Sequence, residues 1–239
     1  MKDILLYVHT HKPLYAPNCD WKKMVSTQDV EGATRIPFGI DGVRLDEFDS
    51  FINIKNEDAK YLGVCHYRRR PLFFRQTRST HPKIFIDPTS ENLNLLCSED
   101  QRLAAIEILD SHDVIQYRPC MLEIDYREQF GCYTPLEAFD IMVDVLKQLG
   151  MSKSVGFYKT SNAHVWATLL VTTKEILSLY AEFVVNVVKI MLARDDFQKL
   201  LIINNRLLPL MLERLTPLWV FHNRLKSAFV PAVILEKDS

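Results

Sequence analysis

Apolar residues along this chain fall into two patterns: short blocks bounded by polar clusters, and longer stretches with helical spacing. The first block, Ile4 to Val8, reads as a buried strand that stops abruptly at His9-Thr10-His11-Lys12-Pro13. Residues 13–43 are rich in Pro, Gly, Asn and Asp and predict a long irregular stretch. Leu45 to Ile54 predicts a helix, and Tyr61 to Cys65 a second strand. Residues 71–94, punctuated by Pro71, Pro82 and Pro88, predict a loop with one short strand at Ile84-Phe85-Ile86.

Capping signals punctuate the rest. Ser98 to Gln101 is a capping box (S-x-x-Q) opening a helix through about Leu109. Val114 to Tyr117 then reads as a strand ending at Arg118-Pro119. Thr134-Pro135-Leu136-Glu137 is a second capping box with proline at the first helical position, and its helix runs to a glycine cap at Gly150. Val165 to Val171 is a strand candidate. Thr172 to Glu175 opens a long helix toward Arg194. A last helical region spans Phe197 to about Phe221, with Pro209 expected to kink or divide it, before a final strand at Val230 to Leu235.

Strands and helices alternate through the first half, and helices dominate the end. The expected fold is α/β, a mostly parallel sheet flanked by helices with a helical C-terminal part. Ligands of such sheets bind beyond the carboxyl ends of the strands. Two strand ends carry the most polar clusters, His9 to Lys12 and His66 to Arg70. If the two strands are neighbours, both clusters face one crevice.

Charge sharpens this picture. The formal net charge is −1, which argues against a general nucleic-acid binder, yet five arginines fall between Arg68 and Arg78. Local positive charge suggests a small anion. Guanidinium groups bind phosphate bidentately and stay charged at any relevant pH. Successive residues of an extended chain point to opposite sides, so one or two of Arg68, Arg69 and Arg70, with His66, are expected to meet the anion. The others should pair with acids or face solvent. A plain solvated basic loop is the competing reading.

Other motifs are weak. His9-x-His11 has metal-compatible spacing but no evident third ligand. Glu123-Ile124-Asp125 is an E-x-D outside a clean strand end, so no D-x-D site for Mn2+ or Mg2+ is clear and no metal ligand is assigned. The sequence has no G-x-x-x-x-G-K-[ST], G-x-G-x-x-G or G-x-S-x-G. The five cysteines have no C-x-x-C spacing, which fits a reducing cytosol. The apolar core of MKDILLYVHTHK is too short for a signal peptide, and FVVNVVKIML is broken by Asn186 and Lys189. The expected location is cytoplasmic, with room for peripheral association at the inner membrane face.

Taken in order, these pieces resemble a bacterial family long catalogued as a domain of unknown function. The segment Tyr61-Leu62-Gly63-Val64-Cys65-His66-Tyr67-Arg68-Arg69 looks like its "GLCHYRR" strand. Tyr7 to Lys12 is similar to the opening strand and "THK". Glu47 falls at the Glu of "ELT", and Tyr126 to Phe130 resembles the "EQY" element. Leu169 to Glu175 resembles "MFIMKKE", and Glu213-Arg214-Leu215 matches "ERL". The family's "GDNIS" stretch has no counterpart in Ile36 to Leu45. Thr168 replaces a common Asn, and Cys132 and Tyr133 stand near where histidines are often found.

The family occurs in capsule and O-antigen gene clusters and is regarded as a glycosyltransferase group that includes galactofuranosyltransferases, with a GT-A-like fold. The resemblance implies one glycosyltransferase-like domain over residues 1–239, with a nucleotide-binding half to about 120 and an acceptor half from about 121. It implies a nucleotide-sugar donor and a glycan or lipid-linked glycan acceptor. Thr10, His11, Lys12, Arg68 and Arg69 would bind the donor, and Glu47, Glu213 and His66 would be catalytic. Glu47 or Glu213 would serve as base, or would instead lock an arginine in place. The alternative is a non-catalytic nucleotide-sugar or phosphate-binding module of the same fold.

Overall fold

The computed structural model describes residues 2–13, 19–40, 42–74, 82–165 and 168–235. The first half contains β1 (Lys2–His9), β2 (Lys22–Ser26), β3 (Thr34–Arg35), α1 (Glu47–Ile54), β4 (Ala59–His66), β5 (Arg69–Pro71), β6 (Lys83–Ile86), α2 (Ser90–Leu96), α3 (Glu99–Leu109), β7 (Val114–Tyr117) and β8 (Cys120–Met121). The second half contains α4 (Tyr126–Gly131), α5 (Leu136–Gln148), α6 (Ser152–Thr160), β9 (Ala163–His164), β10 (Leu169–Thr173) and α7 (Lys174–Leu192). It ends with α8 (Asp195–Ile203), α9 (Leu207–His222), β11 (Ser227–Val230) and β12 (Ala232–Leu235).

The central sheet has the order β11-β7-β10-β4-β1-β2-β3. Its neighbours are parallel except that β10 runs antiparallel to both β4 and β7, so the expected α/β architecture with a mostly parallel sheet holds. A second sheet, β5-β12-β6, and a β8-β9 pair flank it.

Both faces of the central sheet are covered, which is why β1 and β4 read as unbroken apolar runs. Leu5, Tyr7, Leu62 and Val64 pack into a core built with α1, α5, α7 and α9. The alternate residues Ile4, Leu6, Val8, Tyr61 and Cys65 pack on the other face with Ala105 and Leu109 of α3. Gly63 lies between the two strands that flank β4. A Cβ there would come within 2.6 Å of Leu6, 2.8 Å of Val171 and 2.9 Å of the Leu170 carbonyl.

Several boundaries differ from the sequence reading. The irregular stretch 13–43 holds β2 and β3, which extend the sheet beyond β1; residues 14–18 and 41 lie outside the described residues. Lys22 and Lys23 open β2 and masked its apolar part. Pro135 is the N-cap of α5, and the Thr134 hydroxyl donates to the Phe130 carbonyl (2.7 Å) instead of capping. The far end of α5 closes as expected. Gly150 has φ +81°, its N–H bonds the Lys147 carbonyl, and the Met151 N–H bonds Leu146. The cap of α7 is Thr173 rather than Thr172, whose hydroxyl donates to the Asp113 carbonyl.

The last helical region divides at Asn204 to Arg206, upstream of Pro209, which sits in the first turn of α9 where a missing N–H costs nothing. Pro217 is the proline inside that helix, and it removes the N–H that would bond the Glu213 carbonyl. The expected final strand is two, broken at Pro231 and shared between two sheets. The candidate Val165 to Val171 narrows to Leu169–Thr173; Trp166 and Ala167 lie outside the described residues. Among the described residues no single helix is long and apolar enough to cross a membrane.

Candidate functional site

β1 and β4 are adjacent and parallel, and their last residues, His9 and His66, are register partners. The two polar clusters therefore leave the same edge of the sheet side by side. His9 is buried, and its Nδ1 shares a 2.9 Å hydrogen bond with the Ser50 hydroxyl of α1. This bond holds the start of α1 over the strand ends. Burial lowers the His9 pKa to about 4, so it stays neutral and structural.

Past β1 the chain turns on Thr10, whose hydroxyl donates to the Lys12 carbonyl (2.6 Å) and accepts from the Lys12 N–H (3.2 Å). Thr10 is thus spent on the turn that presents His11 and Lys12. Lys12 is exposed. The His11 ring lies edge-on to Tyr67 at 5.1 Å and 5.8 Å from His66. Burial lowers the His11 pKa, with Arg68, Arg44 and Lys12 acting in the same direction.

Past β4, Tyr67 and Arg68 make the turn into β5, so the arginine run is the crossing from the central sheet to the second one. Arg68 is exposed and its guanidinium lies 5.6 Å from the Tyr67 ring centre. Arg69 extends toward Glu213 of α9, with 3.8 Å between NH1 and Oε1. This is one long contact and not a bidentate pair, so most of the guanidinium's donors are left over. Arg70 points the other way and is 2% exposed. It was expected to pair with an acid or face solvent. Its described partners are the Tyr67 carbonyl (2.9 Å) and the Met24 sulfur (3.7 Å). Arg75 and Arg78 lie outside the described residues.

His66 meets Glu47. Its Nδ1 accepts the Arg68 backbone N–H at 3.2 Å, so the neutral ring carries its proton on Nε2, 3.5 Å from Glu47 Oε1. Burial, then the charges of Arg69 and Arg68, push the His66 pKa down to about 2. The ring is a fixed neutral donor, neither a base nor half of an ion pair. Glu47 moves the opposite way. Burial raises its pKa to about 7, with Glu213 and Asp46 adding to the rise and Arg69 opposing it. Its side chain keeps 19% of its surface exposed, so it is protected but reachable.

Glu47 opens α1, and Asp49 fixes the approach to it. The Asp49 carboxylate accepts the Gly39 N–H (2.7 Å) and the Leu45 N–H (2.9 Å), while burial raises its pKa to about 6. Asp49, Ser50 and Tyr67 were not singled out from the sequence. Asp46-x-x-Asp49 ahead of an apolar run carried a capping-like signal that would have drawn attention to Asp49.

α9 contributes differently than expected. Glu213-Arg214 reads as a surface ion pair, but Arg214 is buried. It donates to the Leu210 carbonyl (2.6 Å) and to Gln129 Oε1 (2.9 Å) and lies 5.0 Å from the Phe130 ring centre. Arg214 thus ties α9 to α4, and Glu213 is left for Arg69. Glu47, His66, Arg69 and Glu213, distant in sequence, are one cluster that opens to solvent through Lys12 and Arg68. Asp125 of the E-x-D instead caps α4 by accepting the Glu128 N–H (2.8 Å). Among the described residues no three His, Cys, Asp or Glu side chains are grouped as metal ligands.

Fold comparison places this arrangement beside the apo structure of the WbbM bifunctional glycosyltransferase, with a TM-score of 0.77 at 16% identity. The match covers 100% of this chain and 46% of that one, so this chain spans less than half of its structural relative. The likeness establishes a glycosyltransferase-like fold. A search of curated proteins finds no match. The model of DUF4422, a domain of unknown function, matches residues 50–224, a span that includes the His66–Arg69 turn, Gln129 and Glu213. With most of its length matched, the chain belongs to the DUF4422 family.

Proposed function

We propose that this protein is a nucleotide-sugar-dependent glycosyltransferase, a hexosyltransferase that moves galactofuranose or another hexose onto a glycan or lipid-linked glycan in surface polysaccharide synthesis. The carrying observation is the pairing of fixed cations with one carboxyl group poised near neutral pH at a single sheet edge. The glycosyltransferase-like fold supports the reading.

Sugar transfer needs two things at once: stabilisation of the departing nucleoside diphosphate, and removal of a proton from the acceptor hydroxyl. Negative charge grows on the phosphate oxygens in the transition state, and cations already in place lower the barrier most. Arg69, Arg68 and Lys12 supply those cations, with His11 beside them. Glu213 aims Arg69 without consuming its donors. His66 Nε2–H holds the Glu47 carboxyl, which acts as the base. A base works best with a pKa near the working pH, which burial has given Glu47. His66 thus becomes a positioning residue, and Thr10 shapes the donor turn. The half before about residue 120 binds the nucleotide, and the helical half from about 121 receives the acceptor and lends Glu213. The donor set fits no metal site, so no step is routed through Mn2+ or Mg2+.

The neutralised diphosphate and the tuned base favour turnover over a binding module alone. The test is a panel of sugar nucleotides screened by thermal shift, with and without manganese, followed by assay of nucleoside diphosphate release with and without a glycan acceptor. A donor that binds and is consumed supports the proposal. Binding with neither transfer nor hydrolysis would make the protein a non-catalytic module.

A further inference from the structure

Lys22 and Arg70 place two cations on the other side of the β4–β5 turn from the Glu47 cluster. Neither has a carboxylate partner among the described residues. Arg70 meets a carbonyl and a thioether. Lys22 Nζ donates to the Leu96 carbonyl and lies 4.3 Å from the Trp21 ring centre. What the two cations share is sulfur: Cys19, Cys65 and Cys97 all lie in their field. The group is tied together through backbone. Trp21 Nε1 donates to the Cys97 carbonyl (3.1 Å), and the Lys22 N–H bonds the Cys19 carbonyl (3.4 Å). Cys97 caps the end of α2 and Cys19 stands just before β2.

Buried cations without an anion are costly, and here the available anion is a thiolate. Cys97 is the site for it. The Cys19 thiol donates to the Cys97 sulfur, and Lys22 and Arg70 add their charge against the effect of burial, which brings Cys97 to about 6. The same contact, with burial, raises Cys19, so the shared proton stays there. Cys65 is fully buried and raised by that burial, and is inert by comparison. Cys19 and Cys97 are only partly buried.

We propose that Cys97 and Cys19 form a reactive dithiol that reduces hydroperoxides and closes as a disulfide. The Cys97 thiolate attacks one peroxide oxygen, the O–O bond breaks, and the leaving alkoxide takes a proton from water and departs as the alcohol. Cys97 becomes a sulfenic acid. The Cys19 sulfur then attacks that sulfur; the S–S bond forms, the S–O bond breaks, and hydroxide leaves with the Cys19 proton as water. Two electrons pass from the dithiol to one peroxide. Closure ties the start of β2 to the α2–α3 junction and removes the anion facing Arg70, the neighbour of Arg69. The proposal stands independently of sugar transfer.

The test uses the unmodified full chain. Iodoacetamide labelling across pH 5 to 9, read by peptide mass spectrometry, gives a midpoint for Cys97, with exposed Cys132 as internal reference. A slight molar excess of hydrogen peroxide followed by non-reducing digestion reads the cross-link. The expected results are a Cys97 midpoint near 6, below that of Cys132, and a Cys19–Cys97 linked peptide that dithiothreitol abolishes. A midpoint no lower than that of Cys132, or the absence of the linked peptide, overturns the proposal.

Discussion

His66 Nε2 stands 3.5 Å from Glu47 Oε1, and the direction of that contact is fixed by the Arg68 N–H on the far side of the ring. The geometry makes His66 a donor that holds a carboxyl group. Glu47 is therefore the group to test as base. Glu47→Gln should lower turnover by roughly 10²- to 10⁴-fold while leaving donor affinity nearly unchanged. In the wild type, kcat/KM should rise with pH through an inflection near 7, since only the ionised carboxylate takes a proton.

Glu213 distinguishes the two candidate bases. Its charge is one of the causes that raise Glu47. Glu213→Gln should keep measurable turnover and move the inflection below 7. Abolished turnover with normal donor binding would shift the base role to Glu213. The pH–rate profile of this one variant decides between them.

Arg69 carries the donor's diphosphate on this account. Arg69→Ala should weaken binding of a nucleoside diphosphate by roughly ten- to a hundredfold, the value of one charge-assisted hydrogen bond or two. Arg69→Lys should recover only part of that loss, because an ammonium cannot match the planar fork. Calorimetric titration of the folded variants measures both.

Acid should destabilise the fold before it protonates ordinary carboxylates. His9, His66 and His164 have folded pKa values near 4, 2 and 3, all lowered by burial, and His11 is lowered too. The stability they contribute is present above about pH 6.5 and is lost as pH falls toward the folded values, because the unfolded chain takes up protons first. Glu47 and Asp49 oppose this. Their raised pKa values make the folded chain bind protons between about 7 and their ordinary values, so their contribution is present at low pH and lost as pH rises. The histidines outnumber the carboxyls, so the melting temperature should fall between pH 6.5 and 5. Glu47→Gln should steepen that fall by removing an opposing group.

Gly63 makes the register of the site possible. Gly63→Ala would force a Cβ against a backbone carbonyl and two packed side chains, and should cost about 1–3 kcal/mol or more. A urea melt reads this loss directly.

How much of this was legible in the sequence differs from residue to residue. The strands β1 and β4 were legible because burial on both faces makes a continuous apolar run. The meeting of their polar ends followed once they were neighbours, yet adjacency is a topological fact that a local pattern does not encode. β2 was hidden because edge strands tolerate lysines, and the division at Asn204 because a capless turn leaves no compositional mark. Glu47 and Glu213 were placed by family likeness, not by local chemistry: both read as solvated acids in isolation. Their partners, and the burial that raises Glu47, exist only once α1 and α9 fold over the strand ends. Arg70 was misjudged because alternation says which way a side chain points but not what waits there.

The central claim is that cations beside the ends of β1 and β4 hold a diphosphate. The most direct measurement is titration of the wild type and of Arg69→Ala with UDP and a set of other nucleoside diphosphates and sugar nucleotides, each with and without manganese, with folding checked by circular dichroism. The account predicts saturable binding by the wild type that weakens at least about tenfold in Arg69→Ala. Binding of equal strength in both proteins, or no binding of any of these ligands by the wild type, would contradict it.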